Sequence, residues 1–259
     1  MSRSSTTPTT LEDLGIHGCF WLAALLTAQS RRIPVMPTRR STLAIMHGLR
    51  GVGVIDAPWP EARWEVELRA EVTPIELIQW RFAWDAYIRN ELLDSLTDFL
   101  QEVPRDDYGL GLRLRIWEDL IAAESERFFE DQLTKHNLDP VWSQDLTFAI
   151  RDSRLVMPIS QWRYCCWAAS RFAAAQAHGR RFPDFQRIRE DMYVELLRRA
   201  QRVASGDWDR CAFVPFNPTP QSAGSRIFTR IVTGIGSSFW TLPPSAEGIS
   251  SPWANSSAI

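Results

Sequence analysis

Lysine is almost missing from this chain of 259 residues: twenty-eight of its twenty-nine basic side chains are Arg, and Lys135 is the exception. Codons of a GC-rich genome favour Arg over Lys, so a GC-rich genome explains this bias better than polyanion binding does, and we expect a bacterial protein. The four cysteines show no paired spacing, which argues against a disulfide framework and agrees with a reducing cytoplasm. Apolar runs are short of the ~20 residues that span a bilayer, so we expect a cytoplasmic protein without a membrane partner.

Motifs for a cofactor, a nucleotide or a metal are also absent. The glycines at positions 48, 51 and 53 follow a predicted helix and precede a predicted strand, which is the reverse of a phosphate-binding loop. His17, Cys19 and His47 lack a nearby fourth ligand for zinc, and core side chains explain them better. We therefore expect no cofactor and no metal, and the preferred interpretation is non-enzymatic.

Periodicity predicts a mainly α protein, a helical bundle with one small β-hairpin near residues 52–69. Helices are expected at 11–29, from Thr38, from Thr73 through Val103, up to Lys135, at 159–178 and from Asp184. The helices ending at Val103 and Lys135 are expected to pair as an antiparallel hairpin. We predict mobile tails at 1–10 and 241–259, a module at 11–70, and a helical body at 71–240 with a possible sub-boundary near 153.

Charge is unevenly distributed along this nearly neutral chain. Residues 1–55 carry six Arg and two acids, residues 56–152 carry ten basic and twenty-two acidic groups, and residues 153–259 carry thirteen Arg and seven acids. Basic ends around an acidic middle indicate either attraction to a polyanion or pairing between segments.

The N-terminal pattern of helix, short helix and glycine-rich hairpin resembles part of a winged helix-turn-helix module over residues 11–70. The resemblance implies that a helix enters the DNA major groove while other groups contact phosphates. The DNA-contacting residues would be Arg31, Arg32, Arg39, Arg40, Ser41, Thr42 and Arg50. The expected function is that of a DNA-binding regulator or an accessory protein of a mobile element, with self-association or a protein partner through the helical body.

Two alternatives remain open. Arg171 and His178 lie seven positions apart on a predicted helix, a spacing that resembles the loose Arg and His motif of HEPN ribonucleases. That resemblance implies RNA cleavage, with Arg171 stabilising phosphate and His178 acting near the scissile bond. The other alternative is a protein-interaction module without nucleic acid. Trp162 and Trp167 also alternate with Arg163 and Arg171, which is a pattern that can stack bases, although core packing explains it better in a helix with so many apolar residues.

Overall fold

The computed structural model describes residues 10–56, 81–82, 89–103, 106–179, 182–208, 213 and 220–250. The predicted mainly α class is confirmed. The helices are α1 (Leu11–Arg31), α2 (Arg39–Gly51), α3 (Arg89–Glu102), α4 (Asp107–Lys135), α5 (Asp145–Ser153), α6 (Ile159–His178), α7 (Phe185–Ala204), α8 (Ala223–Ile227) and α9 (Ala246–Ser250). Short 3-10 segments cover Pro140–Gln144 and Gly236–Trp240, and a π-helical turn covers Phe228–Val232.

The chain forms two compact units. The first contains residues 1–116, 219–234 and 252–259, and the second contains residues 117–218 and 235–251. The division falls within α4, and residue 153 lies inside the second unit. The predicted module boundary near residue 70 lies outside the described residues.

In the first unit, α1 is the central helix. Thr10 and Asp13 exchange hydrogen bonds as a capping box, and Gly15 interrupts the helix with a φ of 67°. Side chains such as Leu22 and Leu25 are completely buried, because α1 packs against α2, α3 and α8. By length and composition α1 qualifies as a membrane span, but 56% of its most apolar window is buried inside the protein. That burial is typical of a core helix.

The strand pair of the first unit differs from the predicted hairpin. Strand β1 (Ile55–Asp56) pairs antiparallel with β2 (Arg81–Phe82), so that Ile55 lies opposite Phe82. The predicted partner around Trp64, Val66 and Leu68 lies outside the described residues. Residues 81–82 were expected inside a helix running from Thr73 to Val103, and that prediction is wrong at this point. Aromatic residues alternate at 80, 82 and 84, and this period of two, typical of a strand, prevails locally over the helical spacing.

Helix α3 retains the rest of the predicted stripe. Leu92, Leu96 and Leu100 recur every four residues and are buried. Their main partners are α1 and the π-helical turn, instead of the predicted antiparallel partner α4. The apolar stripe was therefore predicted correctly, but the element that covers it was not.

The second unit is built around α6 and α7, which make the most extensive helix contact of the protein's described part. Pro158 precedes α6 and Gly179 follows it, while the Asp184 carboxylate caps the Arg187 N–H at the start of α7. Ile188, Met192 and Leu196 then face inward, as predicted. Residues 246–250, predicted to be part of a mobile tail, form helix α9, and Ile249 is buried.

Candidate nucleic-acid interface

The loop 33–38 between α1 and α2 is the feature that positions the N-terminal arginines. Helix α1 ends at Arg31 and is capped by Arg32, whose backbone adopts the left-handed conformation with a φ of 52°. Helix α2 begins after Thr38, whose side chain accepts the Ser41 N–H while the Ser41 hydroxyl accepts the Thr38 N–H. Both ends of the loop are therefore capped, and the directions in which the chain leaves and enters are fixed.

Helix α8 fixes the middle of the same loop. The Ala223 N–H donates to the Pro34 carbonyl at 2.8 Å, and the Gly224 N–H donates to the Val35 carbonyl at 2.9 Å. A side chain at Gly224 would meet the Met36 sulfur, so a larger residue there would force the Met36 side chain to move. Val35, Met36 and Pro37 are buried as a result. The loop is rigidly attached to the core of its unit.

Four exposed arginines flank this loop. Arg31 and Arg32 lie at the end of α1, and Arg39 and Arg40 occupy the first turn of α2. We call these four residues the arginine corner. Arg31, Arg32 and Arg39 form no ion pair with a carboxylate in the part of the chain that the structure describes. The seven backbone steps from Arg32 to Arg39 span at most about 25 Å, so the corner is a local concentration of positive charge.

The helix dipole strengthens the field at this corner. The first turn of α2 contains no acidic residue, so the partial positive charge of the helix N-terminus adds to the charges of Arg39 and Arg40. Cations at this end of a helix oppose its dipole and destabilise it by a few tenths of a kcal/mol each. An anion placed there would interact favourably with the dipole and both side chains.

Ser41 and Thr42 bond to the local backbone, whereas the winged-helix resemblance implies that they contact DNA beside the arginine corner. Thr42 is buried, its hydroxyl donates to the Thr38 carbonyl at 3.0 Å, and it accepts the Met36 N–H at 3.2 Å. The Ser41 hydroxyl donates to the same carbonyl at 2.9 Å. Short hydroxyl side chains at a helix start bond to the local backbone more readily than to a ligand. Thr42 therefore stabilises the loop and is not available to DNA.

This assignment predicts a separation of stability from binding. Thr42→Val keeps the shape but removes two hydrogen bonds at a buried position, so we expect the free energy of unfolding to fall by about 1–2 kcal/mol. DNA affinity measured well below the melting temperature should stay unchanged. Urea unfolding and a DNA titration on the same preparation test both statements. A loss of DNA affinity without a loss of stability would show that Thr42 contacts DNA.

Arg50 lies apart from the corner, at the end of α2. Its Nε is 3.7 Å from a carboxylate oxygen of Asp56 in β1, and both side chains are well exposed. A winged helix has three helices before its wing, whereas the described residues 10–56 contain α1 and α2 before β1. The likeness is therefore limited to the order of helix, helix and strand, and Arg50 is separated from the other predicted contacts by the length of α2.

The residues of the ribonuclease alternative lie on one face of α6. Seven positions correspond to about two helical turns, or about 10 Å along the axis. Both residues are exposed, but the Arg171 guanidinium stacks on the Trp167 ring at 4.9 Å, and the His178 Nδ1 bonds to the Ala174 carbonyl at 2.8 Å. Each is thus held by its own helix, and the alternative stays a prediction.

His17 and Cys19 have structural surroundings, whereas His47 is exposed and is not the core side chain that was predicted. Cys19 is completely buried, its thiol donates to the Leu11 carbonyl at 3.4 Å, and burial raises its pKa to about 12. His17 packs edge-on against Trp21, and burial together with Arg115 lowers its pKa. Among the residues that the structure describes, no group of three or more His, Cys, Asp or Glu is placed to hold a metal ion.

A surface that the sequence indicated only partly lies in the second unit. Tyr164, Trp167, Trp208 and Phe213 form a half-buried ring cluster, which we call the aromatic platform. The Trp167 and Phe213 centroids are 5.4 Å apart, and Tyr164 meets Trp208 edge-on at 6.2 Å. The interleaving of Trp and Arg in α6 predicted Trp167 and Arg171 but not Trp208 and Phe213, which follow α7 in the chain. Trp162 and Arg163 of that pattern are buried instead.

Ion pairs hold four of the five arginines of α7, and three of these four pair with the interspersed acids, as predicted. The buried Glu195 carboxylate accepts hydrogen bonds from the guanidinium groups of Arg198 and Arg199. These bonds lower the pKa of Glu195, and the bond from Arg198 has the largest effect. Arg189 forms a bidentate pair with Asp145, and Arg187 pairs with Asp191 at 3.3 Å. Arg202 has no carboxylate partner within the described ranges.

Comparison with known proteins adds no identification: no family model matches the chain, and no curated protein or solved structure is significantly similar to it.

Proposed function

We propose that this protein associates with double-stranded DNA as a non-enzymatic regulatory or accessory protein, through phosphate contacts made by the arginine corner. The observation that carries the proposal is the concentration of four exposed guanidinium groups around one rigid loop, three of them without a carboxylate partner in the described structure. Arg suits this role because its planar fork bonds two phosphate oxygens at once.

The corner is short enough to lie within one DNA binding site. The nine backbone steps from Arg31 to Arg40 span at most about 32 Å, which is less than the ~34–36 Å of one helical turn of DNA, so all four guanidinium groups can contact phosphates of the same site. Because α8 holds the loop, little backbone ordering is required on binding. These contacts position the protein without reading sequence, since phosphates are the same at every base pair.

A salt series on Arg31→Ala/Arg32→Ala/Arg39→Ala tests the proposal. Each lost phosphate contact reduces the slope of log affinity against log salt by about 1, so the triple variant should lose about 3 units of slope. Affinity for a 20-bp duplex should fall roughly 10- to 150-fold at low salt, because each of the three exposed charged contacts contributes about 0.5–1 kcal/mol. Fluorescence anisotropy of a labelled duplex measures both quantities.

Arg151→Ala/Arg154→Ala/Arg187→Ala is the matched control. It removes three exposed arginines from the second unit and changes the net charge by the same amount. We expect near wild-type slope and affinity from this variant. Equal weakening in both variants would show that net charge alone drives association, and a corner variant that binds like wild type would overturn the proposal.

A further inference from the structure

We propose that the aromatic platform, together with Arg171 and Arg202, binds the bases of single-stranded nucleic acid by stacking. The proposal concerns the second unit and does not depend on the arginine corner. All of its residues belong to α6, α7 or the segment that follows α7.

Guanidinium groups lie on the rings of the platform. The Arg171 guanidinium carbon is 4.9 Å from the Trp167 centroid, and those of Arg199 and Arg202 are 5.6 and 5.5 Å from Trp208. These distances are within the range of cation–π attraction. The guanidinium planes and the half-buried rings together make a surface on which a base can stack, because bases stack on both aromatic rings and Arg planes.

The charges at the platform favour an anionic occupant. Arg171 and Arg202 are exposed and bond no carboxylate in the described part of the chain. Arg199 differs, because its Nε donates to Glu195 at 2.6 Å, which fixes that side chain beside Trp208. Two available cations next to stacking rings match a chain of phosphates that carries unpaired bases. A duplex does not match, because its bases are already stacked on each other.

Arg163, in the buried core of the same unit, also lies against aromatic rings and serves as a comparison for Arg171 and Arg202. Arg163 lies between the rings of Phe128 and Trp240, at 5.4 and 4.5 Å, and pairs with Glu124. That arginine is 5% exposed and has a carboxylate partner. Arg171 and Arg202 each lie over one ring, and they are exposed and have no carboxylate partner in the described part of the chain. Their positions therefore leave the guanidinium groups accessible to a ligand.

The platform's backbone is held in place. The Phe213 N–H donates to the Ser160 carbonyl at 3.0 Å, which ties Phe213 to the start of α6. Phe213 also contacts Phe128 of α4 at 5.9 Å. A preformed ring surface loses little conformational entropy on binding, which favours stacking of weakly held single strands.

The first test compares two probes on the wild-type protein. One is a labelled 20-mer of deoxythymidine, and the other is an abasic 20-mer with the same phosphates. Stacking contributes about 1–3 kcal/mol per base, so we expect at least fivefold tighter binding of the oligothymidine. Equal affinities would overturn the proposal, and so would the absence of binding to either probe. An oligouridine arm then shows whether RNA or DNA is preferred.

The second test uses substitutions within the platform. Trp208→Leu keeps an apolar side chain but removes the ring, so the preference for bases over the abasic probe should fall about fivefold, whereas Trp208→Phe should keep most of it. Arg171→Ala/Arg202→Ala removes two cations that serve both probes and two planes on which bases stack, so it should weaken both probes beyond the control Arg151→Ala/Arg187→Ala, and the oligothymidine at least as much as the abasic probe. Circular dichroism and the melting temperature confirm folding of each variant. A Trp208→Leu protein that is folded and keeps the full base preference would contradict the proposal.

Failure of this proposal is distinguishable from failure of the proposed duplex binding. The triple variant of the arginine corner should lose duplex affinity but keep its preference for oligothymidine over the abasic probe. Loss of that preference in the corner variant would show that single strands bind at the corner instead, and would overturn the assignment to the platform.

Discussion

Glu124→Gln should lower the free energy of unfolding by about 3–5 kcal/mol, because it leaves the buried Arg163 charge without its counter-charge. The side chains of Arg163 and Glu124 are 6% and 0% exposed, and the Arg163 Nη2 is 3.4 Å from a Glu124 carboxylate oxygen. Burial lowers the pKa of the Arg163 guanidinium, whose Nε has no hydrogen-bond partner in the described structure. An arginine nevertheless stays protonated in proteins, so the cost of burying an unpaired charge is not relieved by loss of the proton.

The matching double substitution separates charge from packing. Glu124→Leu/Arg163→Met removes both charges together, and we expect it to be at least 2 kcal/mol more stable than Glu124→Gln, since a hydrophobic pair of similar volume replaces a buried ion pair at little cost. Glu118→Gln, at an exposed position of the same helix, should change stability by less than about 0.5 kcal/mol. Urea unfolding of the full chain measures all three. A Glu124→Gln protein within 1 kcal/mol of wild type would contradict the account.

Arg113→Met should lower the free energy of unfolding by about 3 kcal/mol in the first unit. Arg113 is 1% exposed, and it donates from Nη2 to the Val103 carbonyl at 2.7 Å and from Nε to the Val232 carbonyl at 3.3 Å. Hydrogen bonds from a charged donor contribute about 1.5–3 kcal/mol each. Methionine fills a similar volume but donates nothing, so two carbonyls lose their donor.

Hydrogen exchange provides a second measurement for Arg113. The bond to Val232 joins residues 119 positions apart in sequence and holds the π-helical turn to α4. Exchange of the amides at 229–233 should therefore accelerate in Arg113→Met more than that of α1. Arg115→Met, an exposed neighbour on the same helix, is the control and should leave both stability and exchange near wild type. Unchanged protection of the π-helical turn would show that Arg113 has no role in holding it.

Prediction from the sequence succeeded where a few neighbouring residues decide the outcome. The capping residues Thr38 and Asp184 and the terminating Gly179 place helix ends, because they satisfy backbone groups within a few positions. Ion pairs such as that of Arg187 with Asp191 follow from their spacing of four on one helix.

Prediction failed where distant segments compete for the same residues. Residues 81–82 pair with β1, which lies 26 positions earlier, and this pairing excludes them from the helix that their spacing predicted. Helix α3 packs mainly against α1 and the π-helical turn, so the helix that follows it in sequence is not the main cover of its apolar stripe. The partner of a segment is set by three-dimensional packing, about which a local pattern carries no information.

The sequence by itself determined that the protein is mainly α-helical and that its basic groups are arginines concentrated at both ends. Only the tertiary structure decided what each arginine does. Arg113 and Arg163 are buried, where they bond carbonyls and a carboxylate, whereas Arg31, Arg39 and Arg202 are exposed. The physical reason is that a side chain's composition fixes its charge, while the cost of that charge and its availability depend on how much water the rest of the fold leaves around it.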